Sequence, residues 1–159
     1  MGYLEEKQRQ LDMRYLRMAS IWAENSYCVR RKVGALIVKD KMIISDGYNG
    51  TPSGFENVCE DDEGHTKPYV LHAEANAIIS ASRRDMAGGT IYLVGRNAAT
   101  GELLNDATSC LMCRRMIINA GLDRVVIRRT ETEFEVVPVE AWIAEDDLLT
   151  PENVVMDLK

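Results

Sequence analysis

Apolar residues recur along this chain with two different periods, and the switches between them outline its elements. Over residues 11–25, Leu11, Tyr15, Met18, Ala19 and Trp22 fall at helical spacing and predict an amphipathic helix. VGALIVK (33–39) and MIISDGY (42–48) are β-branched runs parted only by Asp40-Lys41, the pattern of a hairpin. NGTPSG (49–54) is turn chemistry throughout, and residues 55–70 are acidic and without period. VLHAEANAIISASRR (70–84) predicts a helix rich in Ala and Ile. Gly88-Gly89 interrupt the chain before the strand TIYLVG (90–95), and a polar loop runs to about Thr108. CLMCRRMIINAG then predicts a helix stopped by Gly121. DRVVIRR (123–129) and EFEVVPV (133–139) read as strands, and VEAWIAEDDLL as an amphipathic helix with Val139, Trp142 and Ile143 inward.

That order contains the strand–helix–strand units of an α/β sheet covered on both faces, and the opening hairpin makes the sheet mixed. There is no internal repeat, low-complexity tract or Ser/Pro linker. The expectation is one domain over 1–159, with its core at about 11–148, a length sufficient for an independent core.

Composition narrows the partners. With 46% hydrophobic and 28% charged residues the chain has the balance of a globular protein, and no apolar run is long enough to span a bilayer. The stretch MGYLEEKQRQLDMRYLRM is charged and has no signal-peptide core, and Glu6 stands where a myristoylation signal wants Ser or Thr. The expectation is a cytoplasmic protein with no membrane contact. A net charge of −6 and a pI of about 5.0 argue against long nucleic acid, which needs a basic face. A small anion needs only a local cation cluster, and Arg30-Arg31-Lys32 is one; its other reading is a solvated basic patch. Cys28, Cys59, Cys110 and Cys113 are expected to be reduced in a cytoplasm, so metal binding or catalysis outranks disulfides.

Two short motifs carry the chemistry: His72-Ala73-Glu74, and Cys110-Leu-Met-Cys113. Two positions apart, His72 and Glu74 face opposite sides of a helix interior, but side chains of a first turn converge around the end of the axis. Both motifs sit at predicted helix starts. Bringing the two N-termini together gives one nitrogen and two sulfur ligands, a three-donor zinc site with its fourth position open, the mark of a catalytic site. Glu74 would stand beside that site without ligating, placed to carry a proton. Taken singly, each motif has a plainer reading. His-x-Glu is commonly a surface pair, and Cys-x-x-Cys a redox motif or half of a structural zinc knuckle; no second Cys-x-x-Cys completes a four-cysteine site.

Together the motifs resemble the zinc deaminase signature. KVGALIV, DGYNGTPSG, HAEANAI and CLMCRRMIINAG resemble the deoxycytidylate deaminase branch of the cytidine deaminase-like superfamily, over roughly residues 11–128. The resemblance implies an α/β fold of three layers, α/β/α, around a five-stranded mixed sheet. It implies a Zn2+ cofactor held by His72, Cys110 and Cys113, Glu74 as the catalytic group, and hydrolytic loss of ammonia from cytosine C4. The substrate implied is the pyrimidine nucleotide dCMP, giving dUMP; nucleoside, CMP, dCTP, a free base or a tRNA base are alternatives within the class, and a zinc-dependent binding module without turnover lies outside it. By resemblance Asn49 contacts the sugar, although the residue also suits holding its own turn. Ala73 resembles the position whose N–H meets the base carbonyl, and Arg30 and Arg31 lie in a loop that lines the pocket of this fold. Some members of the branch carry a second, structural metal, for which Cys28, Cys59 and His65 are candidates, with Glu60, Asp61 or Asp62 as a fourth ligand. The branch is commonly homo-oligomeric, with dCTP and dTTP as effectors. Two positions depart from its pattern. Ser109 replaces the usual proline before the first paired cysteine, and Glu131 falls about where some members have a phosphate-contacting tyrosine.

Overall fold

The computed structural model describes residues 2–145. Helix α1 (Tyr3–Ala23) leads into the hairpin β1 (Arg31–Lys39) and β2 (Met42–Tyr48), then α2 (Ala73–Ile79), the single turn α3 (Arg83–Met86), β3 (Thr90–Asn97), α4 (Leu111–Asn119), β4 (Arg124–Arg128), β5 (Phe134–Pro138) and α5 (Val139–Glu145). The strands form one sheet in the order β2-β1-β3-β4-β5. β3 and β4 are parallel, joined through α4, and every other pairing is antiparallel. The expected five-stranded mixed sheet is therefore present. Asp40 and Lys41 close the hairpin with φ of 52° and 63°, as a two-residue turn matched to strand twist requires.

Alternation along the strands builds two cores. On one face Leu36, Val38, Tyr92, Val94 and Val126 pack under Tyr15, Leu16 and Ala19 of α1. On the other, Ala35, Ile37, Ile91, Leu93, Val125 and Ile127 pack under Ala73 and Ala77 of α2, Ile117 of α4, and Val139 and Trp142 of α5. These are the three expected layers, with the two helices that carry the chemical motifs on the same side. Among the described residues no helix is long and apolar enough to cross a membrane.

Several details differ from the sequence pattern. α1 begins at Tyr3, and its buried stripe is Asp12, Tyr15, Leu16, Ala19, Ser20 and Ala23, while Met18 and Trp22 are exposed. Asp12 is buried because it has partners: it accepts from the Tyr92 hydroxyl at 2.5 Å, Arg124 Nη2 at 3.0 Å and Gln8 Nε2 at 2.9 Å. Burial, followed by the hydrogen bond and charge of Asp12, pushes the Tyr92 hydroxyl well above its usual range. The helix expected over 70–84 is two pieces. Ser82 caps α3 by accepting the Asp85 N–H, and that local bond ends the continuous helix. In α5 Ile143 is exposed rather than inward; residues 146–149 of the expected helix, like the remainder of the C-terminal segment, lie outside the described residues.

Candidate functional site

α2 starts immediately after His72, which is its N-cap, and α4 starts immediately after Cys110, which is its own. Each helix is pinned by polar contacts to the framework beneath. Asn76 donates from Nδ2 to the Tyr48 carbonyl at the end of β2 (2.8 Å), and Ser45 of β2 donates to the Ala77 carbonyl (2.5 Å). Arg83 caps the C-terminal turn of α4 by donating to the Asn119 carbonyl (2.9 Å).

The two helix starts meet. His72 Nδ1 lies 3.3 Å from Cys110 Sγ and 3.5 Å from Cys113 Sγ, and all three donor atoms fall within 4.8 Å of one another. Zinc bonds of about 2.3 Å to sulfur and 2.0–2.1 Å to nitrogen, at tetrahedral angles, put N and S roughly 3.5 Å apart. The donor set thus fits the ion in both chemistry and spacing. The backbone N–H of Cys113 donates to Cys110 Sγ (3.4 Å), the stabilisation a thiolate gains at a helix start. Burial pushes the Cys113 thiol up, and the charge of Glu74 and the neighbouring Cys110 push the same way. Neighbouring thiol and carboxyl groups that raise one another are what a divalent cation relieves.

Glu74 is in the first turn of α2, buried, and outside that donor set. It lines a cleft of about 400 Å³ together with His72, Ala73 and Cys110, and Arg30, Arg31 and Asn49 line the same cleft. Ala73 is the first residue of α2, where backbone N–H groups have no partner within the helix. Arg30 and Arg31 are exposed at the rim. Asn49 braces the chain it faces: its Oδ1 accepts the Val33 N–H and its Nδ2 donates to the Arg31 carbonyl, each at 2.8 Å. The turn-holding role is therefore present, and one Nδ2 hydrogen remains for a ligand.

The structure corrects the second metal set. Cys28 and Cys59 are joined as a disulfide with Cα atoms 5.2 Å apart, within bridging range, so for this pair a covalent link takes the place of the expected free thiols. The acidic group gathered with them is Glu60, not His65. His65 is exposed, its ring 3.6 Å from Asp61 and Glu63 and its backbone N–H held by Asp61 Oδ1 at 2.9 Å. That local turn keeps it from joining the cysteines.

Glu131, at the position of the missing tyrosine, is exposed and paired with Arg128 at 3.1 Å, and it does not line the cleft. Ser109, in place of proline, is buried beside Cys110, and its hydroxyl has no hydrogen-bond partner among the described residues. Sequence pattern gave no sign of the bracing done by Asn76 and Ser45, or of the place of Glu60 and Thr66 on the cleft wall. Their partners come from distant segments.

Residues 9–129 match the family described as the cytidine and deoxycytidylate deaminase zinc-binding region. A deoxycytidylate deaminase of Mycobacterium phage D29 is 33% identical over 129 residues, covering 72% of this chain and 91% of that protein. The deoxycytidylate deaminase of Saccharomyces cerevisiae is 32% identical over 155 residues; 84% of this chain is covered but 46% of the yeast protein, so the chain spans about half of that relative. The crystal structure of the dCMP deaminase from cyanophage S-TIM5, in complex with dCMP and dUMP, superposes with a TM-score of 0.60 at 34% identity, over 80% of this chain and 83% of that one.

Proposed function

Because the chain belongs to the cytidine and deoxycytidylate deaminase zinc-binding family, we propose that it is a hydrolytic deaminase that converts dCMP and water to dUMP and ammonia. The observation that carries this reading is the buried Glu74 beside a His–Cys–Cys donor set that it does not join, on the wall of a nucleotide-sized cleft. A purely structural metal site has no use for such an acid. Zinc held by His72, Cys110 and Cys113 would supply a Lewis acid that makes water nucleophilic near neutral pH. Glu74 takes a proton from that water and delivers it to the departing amino group, so the carboxylate ends the cycle as it began. The Ala73 N–H, free at the helix start, donates to the base carbonyl. Asn49 offers its remaining Nδ2 hydrogen to the sugar, and Arg30 and Arg31 meet the 5′-phosphate with charge-assisted hydrogen bonds. The presence of the acid and the exposed cations on one cleft supports a substrate that carries both a base and a phosphate.

We infer further that the protein is a homo-oligomer. Ile79 on α2 and Leu111 and Met112 on α4 are exposed apolar side chains on adjacent helices, which supports a self-associating face. Regulation by dCTP and dTTP belongs to the same reading. Ammonia release from dCMP, CMP, dCTP, deoxycytidine and cytosine tests it. The expected result is a kcat/KM for dCMP at least tenfold above that for deoxycytidine, about 1.4 kcal/mol, which a single charge-assisted bond supplies. Release from none of them would refute the enzyme, and equal values for the two would refute the phosphate reading.

A further inference from the structure

The acidic, aperiodic segment after β2 contains one buried carboxylate. Glu60 is 8% exposed, between the buried Cys59 and the exposed Asp61, and it lines the same cleft as Glu74. Its Oε1 accepts two backbone N–H groups, from Val29 at 3.1 Å and Arg30 at 3.3 Å. A buried carboxylate is costly to desolvate unless it is hydrogen-bonded, and these two amides are its partners. The bonds fall beside the Cys28–Cys59 disulfide, so the chain entering β1 is fastened to the 59–60 segment at adjacent points, one covalent and one electrostatic. A third tie follows the same line: Arg30 Nη1 donates to Thr66 Oγ1 at 3.4 Å, and Thr66 is bridged to Glu60 through the backbone.

Everything Glu60 holds leads to the rim cations. Val29 and Arg30 lie in the bend before β1, and their amides would otherwise face solvent or the cleft. Arg31 opens β1, and its carbonyl is braced from the opposite side by Asn49. Glu60 and Asn49 thus grip successive residues of one short segment, so the backbone that carries both guanidinium groups is fixed. The two amides turn one Glu60 oxygen toward the backbone, so a carboxylate can sit in the wall of a cleft that takes an anion.

We propose that Glu60 is a positioning residue for the phosphate end of the substrate: it locks the Val29–Arg30 backbone so that Arg30 and Arg31 present their cations to the cleft. This rests on the dCMP reading above. The test is kcat and KM for dCMP and for deoxycytidine in the wild-type protein, Glu60→Ala and Glu60→Gln, with zinc content and circular dichroism measured on each. For Glu60→Ala the KM for dCMP is expected to rise about tenfold, with kcat and the KM for deoxycytidine within twofold of wild type. Gln keeps an acceptor oxygen at the same reach, so Glu60→Gln is expected to recover most of the loss, leaving KM about threefold raised. If the alanine variant does not fold, Glu60→Met, which keeps the side-chain length and removes the oxygen acceptor, carries the test, and a wild-type KM for dCMP in it overturns the proposal. Equal losses for dCMP and deoxycytidine would make Glu60 a structural residue only. A wild-type preference for dCMP that survives Glu60→Ala would overturn the role of Glu60 alone. No preference in the wild-type protein would overturn the phosphate reading, and this proposal with it.

Discussion

Gly47→Ala tests whether the distance between β2 and α2 sets the geometry of the site. Gly47 is buried where β2 passes under α2, and a Cβ built there meets backbone: the Ala73 carbonyl oxygen, the Ala77 nitrogen at 2.6 Å and the Asn76 carbonyl carbon at 3.1 Å. None of these atoms can rotate aside. Ordinary contact begins near 3.4 Å and the Ala73 oxygen is the nearest atom, so α2 must retreat by roughly 1 Å from the strand. His72 and Glu74 ride on the start of that helix, whereas Cys110 and Cys113 ride on α4 and stay. A misplacement of about 1 Å costs up to ~10²-fold in rate. Overpacking costs ~1–3 kcal/mol of stability, offset in part by ~0.4–1 kcal/mol from a less flexible unfolded chain. The expectation is a kcat lowered ten- to a hundredfold, a weakened grip on zinc, and a urea midpoint lowered by the equivalent of ~1–2 kcal/mol. Gly101→Ala is the control. Gly101 has φ of +75° and open space around its Cβ position, so it pays only the left-handed backbone penalty of ~1–2 kcal/mol and keeps kcat. A Gly47→Ala protein with kcat within threefold of wild type and unchanged zinc affinity would refute the reasoning.

Three further outcomes are expected. Metal analysis is expected to find zinc in the wild-type protein and to find it lost in Cys110→Ser; an unchanged stoichiometry would mean that another donor set holds it. Glu74→Ala should keep its zinc and its fold while turnover falls at least ~10²–10⁴-fold, the range of general acid–base groups, and near-normal turnover in the zinc-replete variant would end the proton-shuttle role. Asp12→Ala leaves the Tyr92 hydroxyl and the Arg124 guanidinium without their shared acceptor. Because Arg124 keeps about a third of its side chain in solvent, the loss should fall at the low end of the buried-pair range, ~3 kcal/mol by urea unfolding, with kcat unaffected; a loss below ~1 kcal/mol would show the network to be dispensable.

The elements with a strong local signal were legible in the sequence. The β-branched runs within 33–48, parted by Asp40-Lys41, marked both strands of the hairpin, and Gly121, with φ of +80°, ended α4 where the pattern said. The convergence of His72 with Cys110 and Cys113 was also legible, because only a first turn lets such spacings share a site. What the sequence hid depends on distant partners. Asp12 looks like a solvent-facing charge until Tyr92 and Arg124, 80 and 112 residues away, supply its bonds. His65 was grouped with Cys28 and Cys59 by residue type, and the Asp61 turn that withdraws it leaves no mark in composition. Glu60 is one acid among several exposed ones, and only the fold sets it beneath Val29 and Arg30.

Helix α1 leaves the ribosome before the sheet it covers and is among the last elements able to take its place. The strands it covers are β1, β3 and β4, and the acceptor buried on its inner face bonds to Arg124. Until residue 124 or so has been made, Tyr15, Leu16 and Ala19 have only part of their seat and Asp12 has no counter-charge. The β1–β2 hairpin, closed by two residues, forms on its own within microseconds and has no such wait. Helix α1 therefore acts as a clasp fastened only when β4 arrives: nascent chains stopped before β4 are expected to carry an undocked amphipathic helix, the kind of surface that chaperones bind.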